Sequence, residues 1–236
     1  MASLWERTAT IGPFERLERD RSTDVLVIGG GLAGVLCAYA LDRAGVDYLL
    51  VEAETVCHGV TGHTTAKITS QHGLTYATLL RRFGAEKAGL YLRANEEALR
   101  RYRELCAHID CGFEERENYV YSRTDRVKID EELAALERLG FPATRAESLP
   151  LPFPVAGAVR FPGQAQFHPL RFAAEITKGL RIHEHTPVRE LIGTTAVTDR
   201  ARVRARQVIV ATHFPFLNKH GLYFLKLYQH RSYVLA

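Results

Sequence analysis

The chain has 236 residues, 46% of them hydrophobic and 25% charged, and its net charge is +4. These values are typical of a globular protein with a sizeable core, and the small positive charge indicates no polyanionic partner by itself. No apolar run approaches the roughly 20 residues that cross a bilayer, so no membrane span is expected, and residues 1–21 lack the apolar centre of a signal peptide. The spacing of the four cysteines matches no disulfide framework, so a cytoplasmic location is expected. Cys106 and His108 resemble half of a metal site, but no matching Cys-x-x-His pair follows, so no metal is expected.

A glycine-rich turn stands between two apolar segments near the start of the chain. Residues 25–28 predict a buried strand, glycines follow at 29, 31 and 34, and residues 35–44 predict a helix. A second apolar run ends at Glu52, 18 residues after Gly34. This order of strand, turn, helix and strand, with a carboxylate at the end, is typical of a βαβ unit that binds a dinucleotide.

Each glycine has its own predicted role in that unit. Gly29 permits the tight turn, Gly31 lets the backbone approach a pyrophosphate, and Gly34 lets the helix lie close to the strand. The pyrophosphate is expected on the free N–H groups at the start of the helix, and Glu52 is expected to accept hydrogen bonds from a ribose diol. The alternative is a structural βαβ unit without a ligand, in which Glu52 is an ordinary charge at the end of a strand.

The rest of the chain predicts an insertion and then a return to the first sheet. Helices are predicted over residues 75–83, 85–108 and 130–139, and a strand over 113–122. A proline-rich connector at 149–154 is followed by a predicted strand at 155–161, a helix from Pro169 to Gly179 and a strand at 180–183. Two further strands, at 187–192 and 201–206, are predicted to form a β-meander, and residues 207–212 are predicted to form an apolar strand.

Arginines alternate with small apolar residues late in the chain, at positions 200, 202, 204 and 206. A spacing of two places them on one face of a strand. With no aromatic residues among them, a solvated face is favoured over a nucleic-acid surface, so no nucleic-acid partner is expected.

With these residues in place, the chain resembles FAD-dependent oxidoreductases of the D-amino-acid-oxidase and glycine-oxidase superfamily. The fingerprint through Glu52 carries part of the resemblance. Residues 62–67 are similar to the family's loop that lines the pyrophosphate and ribityl chain of FAD. Residues 206–212 are similar to a strand late in the family's sequence, although His213 stands where the family usually has glycine. A bacterial subgroup in which the flavin unit precedes a Rieske iron–sulfur domain is a closer match, through residues 62–73, 164–169, 213–216 and 231–236.

The resemblance implies an α/β fold with an FAD-binding Rossmann-like sheet of the glutathione-reductase type. It consists of a βαβ sheet with a β-meander, plus an incomplete α+β substrate domain. The expected parts are an N-terminal arm at 1–22, a discontinuous FAD-binding domain at 23–82 and 155–214, and a substrate domain at 83–154 and 215–236. Family members continue past this point, and the chain stops inside the apolar residues 233–236, so a truncated polypeptide is expected.

The resemblance also implies the chemistry. FAD takes a hydride from the carbon next to an amine, so the expected substrate is a small-molecule amine or amino acid, and no catalytic side chain is named. A Rieske domain is an expected partner in the full-length protein. Tyr228, Arg231 and Tyr233 resemble the start of the substrate-facing sheet, with ordinary strand packing as the alternative. The residues expected to bind FAD are Gly29, Gly31, Leu32, Ala33, Gly34, Glu52, Ala53, Gly62, Thr64, Thr65, Lys67, Val188 and Ala211.

Two other functions stay open at this point. An NAD-dependent dehydrogenase would continue with regular βα alternation, whereas a long insertion follows Glu52, and the absorbance spectrum separates the two cofactors. A cofactor-less interaction module or inactive fragment would fail to bind FAD in a titration. His58 and His63 raise the further question of covalent flavin attachment, for which ordinary loop histidines are the favoured alternative.

Overall fold

The computed structural model of the protein describes residues 2–216 and 222–228 and contains two compact units. The first unit comprises Met1–Thr65 and Pro169–Ala236, and the second comprises Ala66–His168. The elements in chain order are α1 Leu4–Thr8, β1 Arg21–Ile28, α2 Leu32–Arg43, β2 Tyr48–Val51, a 3-10 helix Val60–His63, β3 Lys67–Ile68, α3 Tyr76–Cys106, β4 Glu114–Ser122, α4 Arg126–Arg138, β5 Thr144–Ala146, β6 Gly157–Gln166, α5 Pro169–Ile176, β7 Ile182–His183, β8 Val188–Ile192, β9 Thr195–Thr198, β10 Arg202–Val210 and α6 Tyr223–Lys226.

The first unit is built on a six-stranded sheet with the order β7-β2-β1-β10-β9-β8. The strands β7, β2, β1 and β10 are parallel, and β8 and β9 form an antiparallel meander with β10. Because β1 and β2 are covered by other elements, residues such as Leu26 and Leu50 are fully buried. The predicted βαβ unit, the meander and the return of the chain to the first sheet are confirmed.

The meander differs from the prediction in its strands. Residues 201–206 and 207–212 do not form two strands, because β10 is continuous and pairs with β1 on one edge and β9 on the other. The missing meander strand is β9, which is only 4 residues long and carries threonine at both ends, so it shows no apolar run. The alternating arginines of β10 are exposed, as expected for a solvated face.

The second unit is an antiparallel sheet with the order β3-β6-β4, to which β5 adds on β6. Its core contains Tyr76, Ile129 and Phe161, each 0% exposed. The two predicted helices at 75–83 and 85–108 are present in α3, which breaks at Gly84, where φ is 77° and the conformation is non-helical.

The boundaries of the units differ from the expected domain boundaries. The contacts divide the chain after Thr65 and after His168, instead of after residues 82 and 154. The reason is strand pairing, because β3 and β4 both pair with β6, which keeps residues 66–82 and 155–168 with the inserted segment. The FAD-binding and substrate roles of the units stay predictions.

The N-terminal segment is more than an arm on the surface. It begins with α1, and Leu17 is 2% exposed within the core of the first unit, beside Leu26 and Val203. Among the described residues, no helix is both long and apolar enough to span a membrane.

A buried carboxylate organises the second unit. Glu132 of α4 is 0% exposed, and its two carboxylate oxygens accept hydrogen bonds from the Tyr76 and Ala77 N–H groups at 2.8 Å each. These are orphan donors in the first turn of α3, so the carboxylate caps that helix. Burial raises the pKa of Glu132, while the N–H groups of Ala77 and Tyr76 oppose that rise.

Replacing Glu132 by alanine is expected to lower the free energy of unfolding by about 3 kcal/mol, because two buried N–H groups lose their acceptor. Urea denaturation measures this loss. The matched control is Glu131→Ala, one position away on the exposed side of α4, which should change the free energy by less than about 0.5 kcal/mol. Equal effects for both variants would contradict the capping role.

Candidate cofactor site

A cavity of about 600 Å³ lies in the first unit, at the carboxyl ends of β1, β2 and β10 and the start of β8. This is the edge at which open α/β sheets bind ligands, and the volume is within the range of about 300–1,000 Å³ for small-molecule sites. The lining residues that the sequence predicts are Gly29, Gly31, Leu32, Ala33, Glu52, Ala53, Val188 and Ala211.

The glycine turn is fixed by backbone contacts. Gly29 has φ of 108°, and a Cβ there would lie 2.6 Å from the Ala211 carbonyl oxygen. A Cβ on Gly34 would lie 1.8 Å from the carbonyl oxygen of Gly29. Side chains at either position would therefore force β1, β10 or α2 apart, which agrees with the roles predicted for both glycines.

Gly31 is different, because a Cβ added there would point away from the backbone atoms of β1 and β10. It is the N-cap of α2 with φ of −70°, and the nearest atom to an added Cβ would be the Thr61 hydroxyl at 3.8 Å. The open side of Gly31 belongs to the cavity wall. A ligand can therefore approach this backbone and the first-turn N–H groups of α2, where the helix dipole favours an anion.

Glu52 is half-buried in the cavity wall, and its carboxylate is held in place by the backbone. Its Oε2 accepts a hydrogen bond from Gly30 N–H at 2.6 Å, and its Oε1 accepts one from Glu54 N–H at 3.0 Å. An ionised carboxylate has about four acceptor positions, so capacity for a diol remains. Gly30, which was not among the predicted residues, is closely packed here, because an added Cβ would lie 3.0 Å from the Glu52 Cβ.

Glu52→Gln is expected to weaken FAD binding about tenfold and to lower the free energy of unfolding by about 1 kcal/mol, since one backbone N–H loses its acceptor. Flavin fluorescence titration and urea denaturation measure the two effects. Glu54→Gln is the matched control, because that side chain is exposed on the same loop. Unchanged affinity in Glu52→Gln would show that this carboxylate does not contact the ligand.

The opposite wall comes from the β7–β8 connection. Val188 begins β8, and Thr186 N–H donates to the Glu52 carbonyl oxygen at 2.8 Å, which ties this connection to the end of β2. At the end of β10, Ala211 N–H donates to the Ile28 carbonyl oxygen at 2.8 Å. His213, at the position where the resembling family usually has glycine, lines the cavity with φ of 47°.

The loop after β2 differs from the expectation. Among the described residues, Gly62, Thr64, Thr65 and Lys67 lie outside the cavity lining. Gly62 is buried in the 3-10 helix, and the Thr64 carbonyl oxygen accepts a hydrogen bond from the Trp5 indole N–H at 2.8 Å. Thr65 is exposed, and Lys67 begins β3 in the second unit. Their contact with FAD stays a prediction.

Thr61 is the hydroxyl residue that this loop brings to the cavity. Its Oγ1 accepts the Leu32 N–H at 3.1 Å, at the first turn of α2. The sequence resemblance missed it, because it lies one position before the quoted motif. A small polar residue in a loop that follows Glu52 was the only available signal.

The cysteine and the two histidines of the loop after β2 contact other parts of the first unit. Burial raises the pKa of the Cys57 thiol to about 12, so it is protonated at neutral pH. His58 and His63 both lie beside Glu6, at 3.1 and 3.7 Å. In the described ranges, no three histidine, cysteine, aspartate or glutamate side chains are placed to hold a metal ion.

Of the three residues that the resemblance places at the start of a substrate-facing sheet, one lies within the described residues. Tyr228 is 89% exposed, whereas Arg231 and Tyr233 lie outside the described residues. Tyr228 lies in no strand and follows α6, so the structure shows at this position neither the start of a sheet nor the ordinary strand packing that was the alternative.

The cavity therefore combines the features that an adenine dinucleotide needs. An open glycine and the first-turn N–H groups of α2 suit a diphosphate, a fixed carboxylate suits a ribose, and the apolar wall at Val188 suits an adenine ring. The open side of Gly31 supports the fit of such a ligand, because a Cβ added there would enter cavity space in which the nearest protein atom lies 3.8 Å away.

Comparison with known proteins agrees with this chemistry. The family model described as FAD dependent oxidoreductase matches residues 24–236. The YhfW protein of Bacillus subtilis (strain 168), named as a Rieske 2Fe-2S iron-sulfur protein, is 35% identical over 99% of this chain and 48% of its own length. Gamma-glutamylputrescine oxidoreductase of Escherichia coli (strain K12) is 26% identical over 84% of this chain and 51% of its own length.

Among solved structures, glycine oxidase from Geobacillus kaustophilus aligns with a TM-score of 0.66 and 20% identity, over 81% of this chain and 55% of that one. This likeness shows that the fold is the one predicted. The chain spans about half the length of the curated relatives it matches. On the family match, which covers nearly the whole sequence, the chain belongs to the FAD-dependent oxidoreductases of the D-amino-acid-oxidase family.

Proposed function

We propose that this chain binds FAD in the cavity at the start of α2 and forms the cofactor-binding part of an oxidoreductase that oxidises an amine or amino-acid-like substrate. The observation that carries the proposal is the open backbone of Gly31 beside the fixed carboxylate of Glu52. Membership of an FAD-dependent family supports it.

In this proposal the residues of the chain bind and orient the cofactor. The Ala33 N–H and the Thr61 hydroxyl, which accepts the Leu32 N–H at 3.1 Å, lie toward the diphosphate at the start of α2. Glu52 accepts hydrogen bonds from the ribose diol, and the Val188 backbone contacts the adenine. Gly29 and Gly34 keep α2 close to β1, and Ala53 and Ala211 complete the wall. Bound FAD supplies the hydride acceptor, which is why no side-chain base of this chain is assigned.

The substrate class follows from the relatives. The names of two of them, glycine oxidase and gamma-glutamylputrescine oxidoreductase, describe proteins that act on an amino acid and on an amine derivative. A small primary or secondary amine is therefore the proposed substrate. The hydride would leave the carbon bonded to nitrogen, and the resulting imine would hydrolyse to a carbonyl compound.

A Rieske domain is the proposed partner in the full-length protein. Support comes from the YhfW protein, because this chain matches 48% of a protein named for that cluster. The coding DNA beyond Ala236 tests this proposal through the presence of Cys-x-His and Cys-x-x-His ligand pairs. A cytoplasmic location is also proposed, and the four cysteines, all of them free, are consistent with a reducing compartment.

Reconstitution tests the function. The full-length protein, purified with FAD, should show a flavin spectrum that bleaches anaerobically when glycine, proline or a putrescine derivative is added. A matched sample with NAD in place of FAD should show no such change. A protein that binds FAD but is not reduced by any amine would contradict the substrate class, and one that takes up NAD but no FAD would contradict the cofactor.

A further inference from the structure

The N-terminal segment precedes the part of the chain that matches the family. The family model begins at residue 24, yet residues 3–17 contact both loops that line the cavity. We propose that this segment is a strap that positions the two cavity loops, and that Glu6 is the positioning residue for the loop after β2. The inference rests on the proposed function only for the identity of the ligand.

The geometry of α1 fixes the Glu6 carboxylate. Ser3 and Glu6 form a reciprocal capping box, in which Glu6 N–H donates to the Ser3 hydroxyl at 3.2 Å and Ser3 N–H donates to Glu6 Oε2 at 2.8 Å. The Ser3 N–H is the main cause that holds the pKa of Glu6 below its usual range, with His63 and His58 adding to it. The carboxylate is therefore ionised at neutral pH and stands in one orientation.

That carboxylate contacts both ends of the loop segment that lines the cavity. Its Oε1 lies 3.1 Å from Nδ1 of His58, and its Oε2 lies 3.7 Å from Nε2 of His63. Between these two histidines stand Gly59, Val60 and Thr61, all of which line the cavity. Glu6 thus lies against the segment that carries the hydroxyl partner of α2.

A second contact from the same helix fixes the end of this loop. The indole N–H of Trp5, the only tryptophan in the sequence, donates to the Thr64 carbonyl oxygen at 2.8 Å. Gly62, in the same loop, is packed closely between Cys57 and Glu6, because a Cβ there would lie 3.1 Å from the Cys57 carbonyl oxygen and 3.4 Å from Glu6 Oε1. Trp5 therefore reports optically on whether α1 is docked.

The strap continues to the other wall of the cavity. Leu17 N–H donates to the Thr186 hydroxyl at 3.1 Å, and Thr186 lines the cavity. Phe14 N–H donates to Glu184 Oε2 at 3.2 Å, while Glu184 Oε1 accepts Val56 N–H at 2.7 Å. Glu184 is only 3% exposed, so this carboxylate links the strap to the start of the loop after β2.

The contacts of Glu6 should affect the loop more than the fold. The side chains of His58 and His63 are 60% and 52% exposed, and polar contacts with such exposed groups contribute little to global stability. Local opening of a surface loop, by contrast, depends on just such contacts. Removal of Glu6 should therefore loosen residues 57–64 while the sheet of the first unit stays folded.

The test compares Glu6→Ala with Glu18→Ala. Glu18 lies on the same segment and pairs with Arg200 at 2.8 Å, on the β9–β10 connection rather than on a cavity loop. In the FAD-free chain, hydrogen exchange of the peptide that covers residues 57–62 should be about tenfold faster in Glu6→Ala and unchanged in Glu18→Ala. Trp5 fluorescence should shift to the red only in Glu6→Ala.

FAD affinity gives the second readout. Glu6→Ala should weaken FAD binding about tenfold, and Glu6→Gln, which still accepts from Ser3 N–H, should recover part of that loss. Unchanged exchange and unchanged affinity in Glu6→Ala would overturn the strap, and so would a general loss of thermal stability with faster exchange throughout the sheet. If the wild-type chain binds no FAD, the proposed function fails, while the exchange comparison still decides on the strap.

Discussion

Replacing Gly34 by alanine is expected to lower the free energy of unfolding of the FAD-free chain by more than about 3 kcal/mol. The added Cβ would lie 1.8 Å from the Gly29 carbonyl oxygen, and that atom belongs to backbone that cannot rotate away. Relief requires α2 to move off β1, which opens the core around Val35 and Ala38, both 0% exposed. Urea denaturation of the purified variant measures the loss.

The control for this prediction is an alanine in the same turn. Gly31→Ala should change the free energy of unfolding by less than about 0.5 kcal/mol, because its φ of −70° suits any residue and its Cβ meets only the Thr61 hydroxyl at 3.8 Å. Equal stability of the two variants would show that α2 does not lie as close to the turn as described.

The same Gly31→Ala variant should have its largest effect on the ligand. With the fold intact, its methyl group would occupy the space where the diphosphate approaches the backbone, and FAD affinity should fall about 100-fold or more, which corresponds to about 2.7 kcal/mol. Flavin fluorescence titration measures this change. Wild-type affinity in the variant would mean that the diphosphate does not lie at this helix start.

The two glycine variants together separate structure from function. Gly34→Ala acts on packing and Gly31→Ala acts on the ligand, although the two residues belong to one motif. The sequence distinguishes these roles only through the known pattern of the fingerprint. The structure explains them, since one Cβ would meet backbone and the other would meet open space.

Much of the first sheet could be predicted from residue patterns alone. The continuous apolar runs at 25–28 and 48–51 are typical of buried parallel strands, and the glycine spacing identified the turn between them. The position of Glu52, directly after the last residue of β2, followed from the same pattern. These features depend on neighbours in sequence, which is why they were visible without a structure.

The features that the sequence did not reveal depend on contacts between distant residues. Gly30 packs closely against Glu52 and Val56, and Thr61 reaches the cavity through the fold of the loop. α4 begins at Arg126, before the predicted residue 130, because Asp125 accepts the Lys128 N–H at 3.0 Å. Strand pairing on β6, which sets the unit boundaries, has no local signature either.

We propose that the diphosphate of FAD lies on the first turn of α2. The most direct measurement follows the backbone amide signals of the ¹⁵N-labelled chain by NMR while FAD is added. The signals of Gly31, Leu32 and Ala33 should shift in a saturable manner, together with that of Val188 at the adenine end. If FAD binds while these amides keep their free positions and other residues shift instead, the site is wrongly located and the account is contradicted.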